Sequence, residues 1–133
     1  MKRIAGVALM AAVMALSLVA VAAAHTVKHD STITFQVKKN GQDADTFEGK
    51  VISKRNRCAA ERQVAIYRRV EGGPDVVVSD DITDANGDYS SEAAENAPAG
   101  TYYAVAIRKV LRKDAEHTHV CKKATSSDRV VAQ

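Results

Sequence analysis

The stretch VVVSDDITDANGDY, residues 76–89, does most to decide the fold class of this chain. It begins with three β-branched valines, a residue type that favours strands. Its turn, Asp84–Asp88, is built around Asn86-Gly87. Asn-Gly between two runs that can pair is a strong hairpin signal. The segment therefore predicts strands joined by a tight turn.

The same pattern of strand and turn extends in both directions along the chain. Apolar residues alternate with polar or small ones in several short runs, and Gly, Pro or Asn separates the runs. These runs contain Ile33 to Val37, Phe47 to Val51, Val64 to Tyr67, Tyr102 to Ile107, Val120 to Cys121 and Val130 to Val131. The spacing predicts an all-β fold, an antiparallel β-sandwich of about seven strands.

The first 24 residues differ from the rest and predict a signal-peptide helix. Lys2 and Arg3 precede the apolar run Ile4–Val21, and small residues follow at Ala22–Ala24. That order is typical of a cleaved secretory signal, although the run is also long enough for an uncleaved anchor. We expect cleavage after Ala22 or Ala24. Residues 25–133 then form one domain, secreted or periplasmic and not integral to a membrane.

Charge gives little indication of a partner for the mature chain. Removing Lys2 and Arg3 leaves seventeen basic residues against sixteen acidic ones, so nothing indicates nucleic acid. The charges are unevenly placed, however. Glu71 to Glu95 contains eight acids and no base, whereas Arg108, Lys109, Arg112 and Lys113 form a basic run. Solvated surfaces explain this pattern most simply. The alternative is an acidic edge and a basic patch that meet an oppositely charged partner.

The two cysteines, Cys58 and Cys121, both lie in the predicted exported part. An even pair in an oxidising compartment favours a disulfide. CxxC spacing, which would favour zinc, is absent. A nucleophilic cysteine is the remaining alternative, because His117 and His119 lie close to Cys121 in sequence.

Four segments, taken in order, resemble the transthyretin-like, carboxypeptidase-regulatory-like β-sandwich. They are FEGKV (47–51), VAIYR (64–68), TDANGDY (83–89) and AGTYYAV (99–105). The chain also looks like small bacterial exported proteins with one Cys before the second segment and another after the fourth. The likeness implies that Cys58 and Cys121 pair across the sandwich. It implies no activity, because such domains commonly serve as folding, adhesion or carrier modules.

The histidines offer one route to metal binding. Cleavage after Ala24 would make His25 the amino terminus, whose amine and imidazole together can chelate Cu(II), as in periplasmic copper carriers that are also β-sandwiches. His29, or the pair His117 and His119 on one face of a strand, would complete the site if they lie near. Exposed histidines without a metal are the simpler interpretation. The sequence therefore predicts no resident cofactor, and His25, His29, His117 and His119 are the candidates if a metal binds.

A calcium site is a second metal hypothesis. Oxygen-bearing side chains follow the spacing of an EF-hand loop, but Tyr89 stands where that loop needs Gly. The six positions are Asp84, Asn86, Asp88, Ser90, Glu92 and Glu95.

No catalytic motif such as G-x-S-x-G, H-E-x-x-H or a P-loop occurs, so we do not expect an enzyme. The sequence favours a non-catalytic module with a binding or structural role at the cell envelope, its partner an unidentified protein or envelope component. The alternatives are copper handling through His25 and a calcium-stabilised adhesion-type domain.

Overall fold

The computed structural model describes residues 25–93, 96–113 and 116–132; the predicted signal peptide lies outside them. This part of the chain contains twelve strands and one short helix, and the all-β prediction is confirmed. The strands are β1 His25–His29, β2 Thr32–Ile33, β3 Gln36–Lys38, β4 Thr46–Ile52, β5 Gln63–Arg68, β6 Val76–Ile82, β7 Asp88–Glu92, β8 Gly100–Ala106, β9 Lys109–Lys113, β10 His117–Cys121, β11 Ala124–Thr125 and β12 Arg129–Val131; helix α1 is Asn56–Ala59.

Two antiparallel sheets form the sandwich. The larger has the order β11-β8-β5-β6, and β12 also pairs with β8. In the smaller sheet β4 lies between β7 on one side and β2 and β3 on the other. More strands occur than the expected seven or so, because β2 and β3 follow each other along one edge of β4, and β11 and β12 both pair with β8.

Alternate residues of the central strands build the core between the sheets. Val51 of β4 and Val64 and Ile66 of β5 are completely buried. Phe47 packs against Tyr102 with ring centroids 5.6 Å apart. Burying side chains of this size stabilises the fold by about 1.5–3 kcal/mol each.

The prediction that the Asn86-Gly87 turn joins a hairpin is wrong. β6 pairs with β5 and β7 with β4, so the turn crosses from one sheet to the other. Gly87, at φ 86°, lies against β4, and its carbonyl accepts the Val51 N–H at 2.8 Å. A Cβ on Gly87 would come within 2.4 Å of the Val51 carbonyl oxygen. This close approach to β4, which only glycine permits, directs the chain into the second sheet.

A third sheet has the order β1-β10-β9, and its β1–β10 pair is parallel. This parallel pair is an addition to the antiparallel sandwich that the sequence predicted. Antiparallel pairing suits strands that a short turn connects. β1 and β10 come from distant parts of the chain, so no such turn constrains their direction.

The predicted disulfide between Cys58 and Cys121 is confirmed, and their Cα atoms are 5.4 Å apart. Cys58 lies on α1, which the sequence did not predict, and Cys121 ends β10. Both cysteines are completely buried. The bond leaves neither thiol available as a nucleophile or a metal ligand.

Arg62 ties several chain segments together beside this disulfide. Its side chain is completely buried, and its guanidinium donates to the carbonyls of Ile107 at 2.5 Å, Lys122 at 2.5 Å and Cys58 at 2.9 Å. A further bond of 3.3 Å reaches the Ser31 hydroxyl. Burial lowers the pKa of Arg62. The planar guanidinium suits this position because it presents several donors in fixed directions.

Asp45 is completely buried, unlike the other acids of the described residues. Its carboxylate accepts from the Lys39 ammonium at 2.7 Å and from the Ala97 N–H at 2.8 Å. The hydrogen bond from Lys39 is the main reason that the pKa of Asp45 is lowered. The bond to Ala97 fixes the loop before β8.

Candidate functional site: a histidine row on strands β1 and β10

All four histidines of the chain lie on the paired strands β1 and β10. In the parallel register His25 is opposite His117, and Val27 is opposite His119. Side chains two residues apart point to the same face of a strand. His25 and His29 therefore share a face with their neighbours His117 and His119. The structure thus brings together all four metal candidates named from the sequence.

The rings form a continuous row. The centroids of His25 and His117 are 6.3 Å apart, those of His117 and His119 are 6.1 Å apart, and those of His119 and His29 are 5.4 Å apart. His25 is exposed, whereas the other three are half-buried. The row is therefore open to a small ligand from solvent.

His29 and His119 make the closest contact in the row. Nε2 of His29 is 3.1 Å from Nδ1 of His119, and the ring planes differ by only 10°. The centroid separation of 5.4 Å is about that gap plus two ring radii, so the nitrogens point at each other edge to edge. Such a bond needs one ring nitrogen with its proton and one without. Which ring donates depends on the tautomers of His29 and His119.

The same pair of nitrogens has the spacing of two ligands on one metal ion. Metal–imidazole bonds are about 2.0–2.1 Å, which puts adjacent ligands of a square-planar or tetrahedral ion about 2.9–3.4 Å apart. An ion would lie beside the line between the two nitrogens, so both rings must turn slightly to bind it. As they stand, no three His, Cys, Asp or Glu side chains within residues 25–93, 96–113 and 116–132 are arranged to hold a metal.

Both ends of the strand pair are held in place. At the start of β1 the His25 N–H donates to the Glu116 carbonyl at 2.8 Å, and after β10 the Lys122 N–H donates to the His29 carbonyl at 2.9 Å. The Lys122 ammonium also pairs with Asp30 at 2.5 Å. That hydrogen bond and the lysine charge lower the pKa of Asp30. With Cys121 in the disulfide, the backbone under the row is fixed on both strands.

The candidate calcium ligands adopt another arrangement. Oδ1 of Asp84 accepts the N–H groups of Asn86 and Asp88 within its own turn, and the Asp88 carboxylate pairs with Lys50 at 3.4 Å. Asp88 to Glu92 form the extended strand β7 rather than a loop. Glu95 lies outside the described residues. The structure therefore does not gather these oxygens as an EF-hand loop would.

Sequence reasoning missed two features of this region. The parallel pairing that completes the row has no local signal, although the spacing of His117 to His119 already placed that pair on one strand face. The buried role of Arg62 was also missed. Arg62 is separated from Val64 by Gln63, and no local pattern indicated that it is buried.

Among the described residues no helix has both the length and the apolar character needed to cross a membrane. Comparisons of the chain with models of protein families, with curated proteins and with solved structures found no match in any of the three.

Proposed function

We propose that the mature chain is an exported, non-catalytic β-sandwich module that binds a late transition-metal ion at the histidine row, with Cu(II) preferred. Its place of work is the cell envelope or the medium. The convergence of all four histidines on one strand pair carries this proposal.

The chemistry of the row favours copper among divalent ions. Imidazole nitrogen is a good ligand for copper, zinc and nickel, and affinity along the first transition row is greatest for Cu(II). The His29–His119 pair supplies two nitrogens at ligand spacing. His117 lies next to His119 and can supply a third after a change of ring orientation. Solvent completes the coordination.

Export is supported by two observations independent of the histidines. Residues 1–24 follow the order of a secretory signal. The disulfide between Cys58 and Cys121 is a bond typical of oxidising compartments. A module of this kind would meet metal ions outside the cytoplasm.

Two versions of the copper site differ in the part that His25 plays. A free amino terminus at His25 would chelate through its amine and ring, whereas the His29–His119 pair does not depend on the cleavage point. The ring of His25 lies at the far end of the row from His29. The geometry therefore favours the internal pair.

Calorimetric titration of the secreted chain with Cu(II) and Zn(II) tests the proposal, after mass spectrometry has fixed its first residue. We expect about one ion per chain, with Cu(II) bound more tightly. His29→Ala/His119→Ala should lower the Cu(II) affinity at least about tenfold, the loss seen when even a supporting residue of a metal site is removed. A chain with Ala24 retained should bind as well as one that starts at His25.

The matched control is His25→Ala/His117→Ala. It also removes two imidazole side chains, but from the other half of the row. It should change the affinity less than the internal double variant does. Absence of binding in the wild type, or equal binding by the wild type and the internal variant, would reject the site. A loss caused only by retaining Ala24 would assign copper to the amino terminus instead.

A further inference from the structure

A cavity opens between the two sheets at the end of the sandwich where β5 ends and β8 begins. Its volume is about 300 Å³, at the lower end of the range for small-molecule sites. The most deeply buried residues of its lining are Phe47 of β4 and Tyr102 of β8, one from each sheet. Val78, Ala97 and Pro98 add further apolar surface. The cavity therefore suits a small apolar group.

Among the described residues of the lining only Arg68, at the end of β5, is charged. Val64 and Ile66 of the same strand are completely buried, and side chains two residues apart share a face, so Arg68 also points into the sandwich. Its register partner on β8 is Tyr102. A Cβ on Gly100 would lie 3.2 Å from Nε of Arg68. The side chain thus passes over a position without a side chain of its own and reaches the cavity.

The Arg68 guanidinium has neither an ion-pair partner nor a hydrogen-bond acceptor in the part of the chain that the structure describes. Its neighbour Arg69 differs in this respect. The Arg69 guanidinium pairs with Asp128 at 2.8 Å and lies 4.4 Å from the centroid of the Tyr103 ring. A half-buried cation beside apolar side chains has lost part of its hydration, and an opposite charge stabilises it. Arg68 is therefore suited to an anion that enters the cavity.

The other charges near this cavity balance each other. Lys39 and Asp45 act electrostatically on the Tyr102 hydroxyl, as Arg68 does. However, the Lys39 ammonium and the Asp45 carboxylate pair with each other at 2.7 Å. Arg68 is then the uncompensated charge of the group, and an anionic ligand meets a positive potential.

Two hydrogen bonds fix the segment that forms one wall of the cavity. The Tyr102 hydroxyl donates to the Pro98 carbonyl at 2.7 Å, and the Ala97 N–H donates to the Asp45 carboxylate at 2.8 Å. The cavity is thus largely formed before a ligand enters it. Binding to such a site costs little ordering of the protein.

We propose that this cavity binds a small monocarboxylate, with its carboxylate on the Arg68 guanidinium and its short apolar body against Phe47 and Tyr102. A guanidinium and a carboxylate match each other as two parallel N–H···O bonds. A dianion fits less well, because its second charge would lie beside apolar side chains without a cation. A neutral molecule would leave Arg68 unpaired. No residue of the histidine row lines this cavity.

Titration of the secreted chain with hexanoate, followed by ¹H–¹⁵N NMR, tests the proposal. The buffer contains no other carboxylate and no metal. We expect a dissociation constant of about 1 mM, in keeping with a ligand of so few atoms. The amide signals of Val78, Ala97 and Gly100 should shift most. Hexanamide, which has nearly the same shape without the charge, should bind at least about tenfold more weakly.

Arg68→Met removes the charge and keeps an apolar side chain. It should lower the affinity for hexanoate at least about tenfold and leave that for hexanamide unchanged. Arg69→Met is the matched control. It neutralises the adjacent arginine, whose partners are Asp75 and Asp128, and should bind hexanoate as the wild type does. Circular dichroism checks that both variants are folded, and the comparison of the two ligands on the wild type needs no variant.

Glu95 lies outside the described residues but close in sequence to Ala97, so its carboxylate is tested separately. Glu95→Gln should bind hexanoate as the wild type does. Binding by this variant alone would overturn the proposal, because Arg68 would then already have a carboxylate partner within the chain.

Equal binding of hexanoate and hexanamide by the wild type would also overturn the proposal. So would equal losses in Arg68→Met and Arg69→Met, or the absence of saturable binding up to about 20 mM hexanoate. Because metal is absent throughout, none of these results bears on the proposed copper site.

Discussion

The two ends of β10 contrast strongly. At one end Cys121 is completely buried and covalently bonded to α1, beside a guanidinium that binds three backbone carbonyls. At the other end His117 and His119 are half-buried in an open row of rings. Only a few residues separate the two regions. The buried end therefore holds the strand in place directly beside the His29–His119 contact.

The contrast explains how the histidine row can be positioned without being packed. The register of β1 on β10 places His29 opposite Cys121, so the strand pair is fixed at the point where the closest histidine contact begins. A rigid support of this kind reduces the cost of ordering ligands when a metal binds. Stability and binding should consequently be separable by substitution, which the following predictions test.

Removing the disulfide should have the largest effect on stability. The bond joins residues 63 apart in sequence, and the chain-entropy model gives about 4 kcal/mol for a loop of that length. Cys58→Ser/Cys121→Ser should therefore lower the free energy of unfolding by about that amount in urea. A loss below about 1 kcal/mol would show that Arg62 and the surrounding packing hold this end of β10 without it.

Arg62→Met should have the second largest effect. The variant keeps most of the side-chain volume but leaves the buried carbonyls of Cys58, Ile107 and Lys122 without their donor. We expect a loss of about 3 kcal/mol, measured by urea unfolding. Arg62→Lys is the control: it keeps the charge and one bonding position, and should recover part of the loss. Equal losses in both variants would contradict a role for the planar set of donors.

Asp45→Asn should destabilise the fold less, and in a way that depends on pH. The pKa of Asp45 is lowered in the folded state, so its contribution is fully present above the unfolded value of about 3.9 and is lost as the pH falls through the lowered pKa. The wild type should thus lose its advantage over Asp45→Asn in acid. Melting temperatures of both chains at neutral pH and at pH values below about 4 measure this.

Arg62→Met is the natural comparison for that experiment. An arginine stays charged over the whole acid range, so the deficit of Arg62→Met relative to wild type should not shrink in acid as that of Asp45→Asn does. If the melting temperatures of both variants approach that of the wild type in acid, the acid sensitivity belongs to the fold as a whole and not to Asp45.

His29→Ala/His119→Ala should have the smallest effect on stability. The variant loses the partly exposed hydrogen bond between the two rings, worth less than about 1 kcal/mol, while the backbone pairing of β1 with β10 remains. Its metal-free melting temperature should be close to that of the wild type. A large drop would mean that the row serves packing, and the contrast between the two ends of β10 would then fail.

The sequence predicted the parts of the fold that depend on local pattern. Alternation in Val64 to Tyr67 and in Tyr102 to Ile107 indicated strands that do pair in one sheet. The Asn86-Gly87 turn was identified correctly, but its partner strands were not. Local propensity fixes a turn, whereas the sheet that receives the next strand depends on contacts such as that between Gly87 and Val51.

The candidate site was predictable as a list of residues and not as an arrangement. The spacing of His117 to His119 gave a shared strand face for that pair. The parallel pairing that joins the two strands is a long-range contact without any signal in either segment. Arg62 was missed for the same reason, because two of its acceptors, the carbonyls of Ile107 and Lys122, lie 45 and 60 residues further along the chain.

The pairing of β1 with β10 also affects the order in which parts of the molecule can fold. His29 contacts His119, which lies 90 residues further along the chain. In a chain that crosses a membrane amino terminus first, β1 emerges early and stays unpaired until β10 has followed it. Contacts of such long sequence separation form slowly. The histidine row is then among the last features to assemble, and a partly translocated chain holds no complete row.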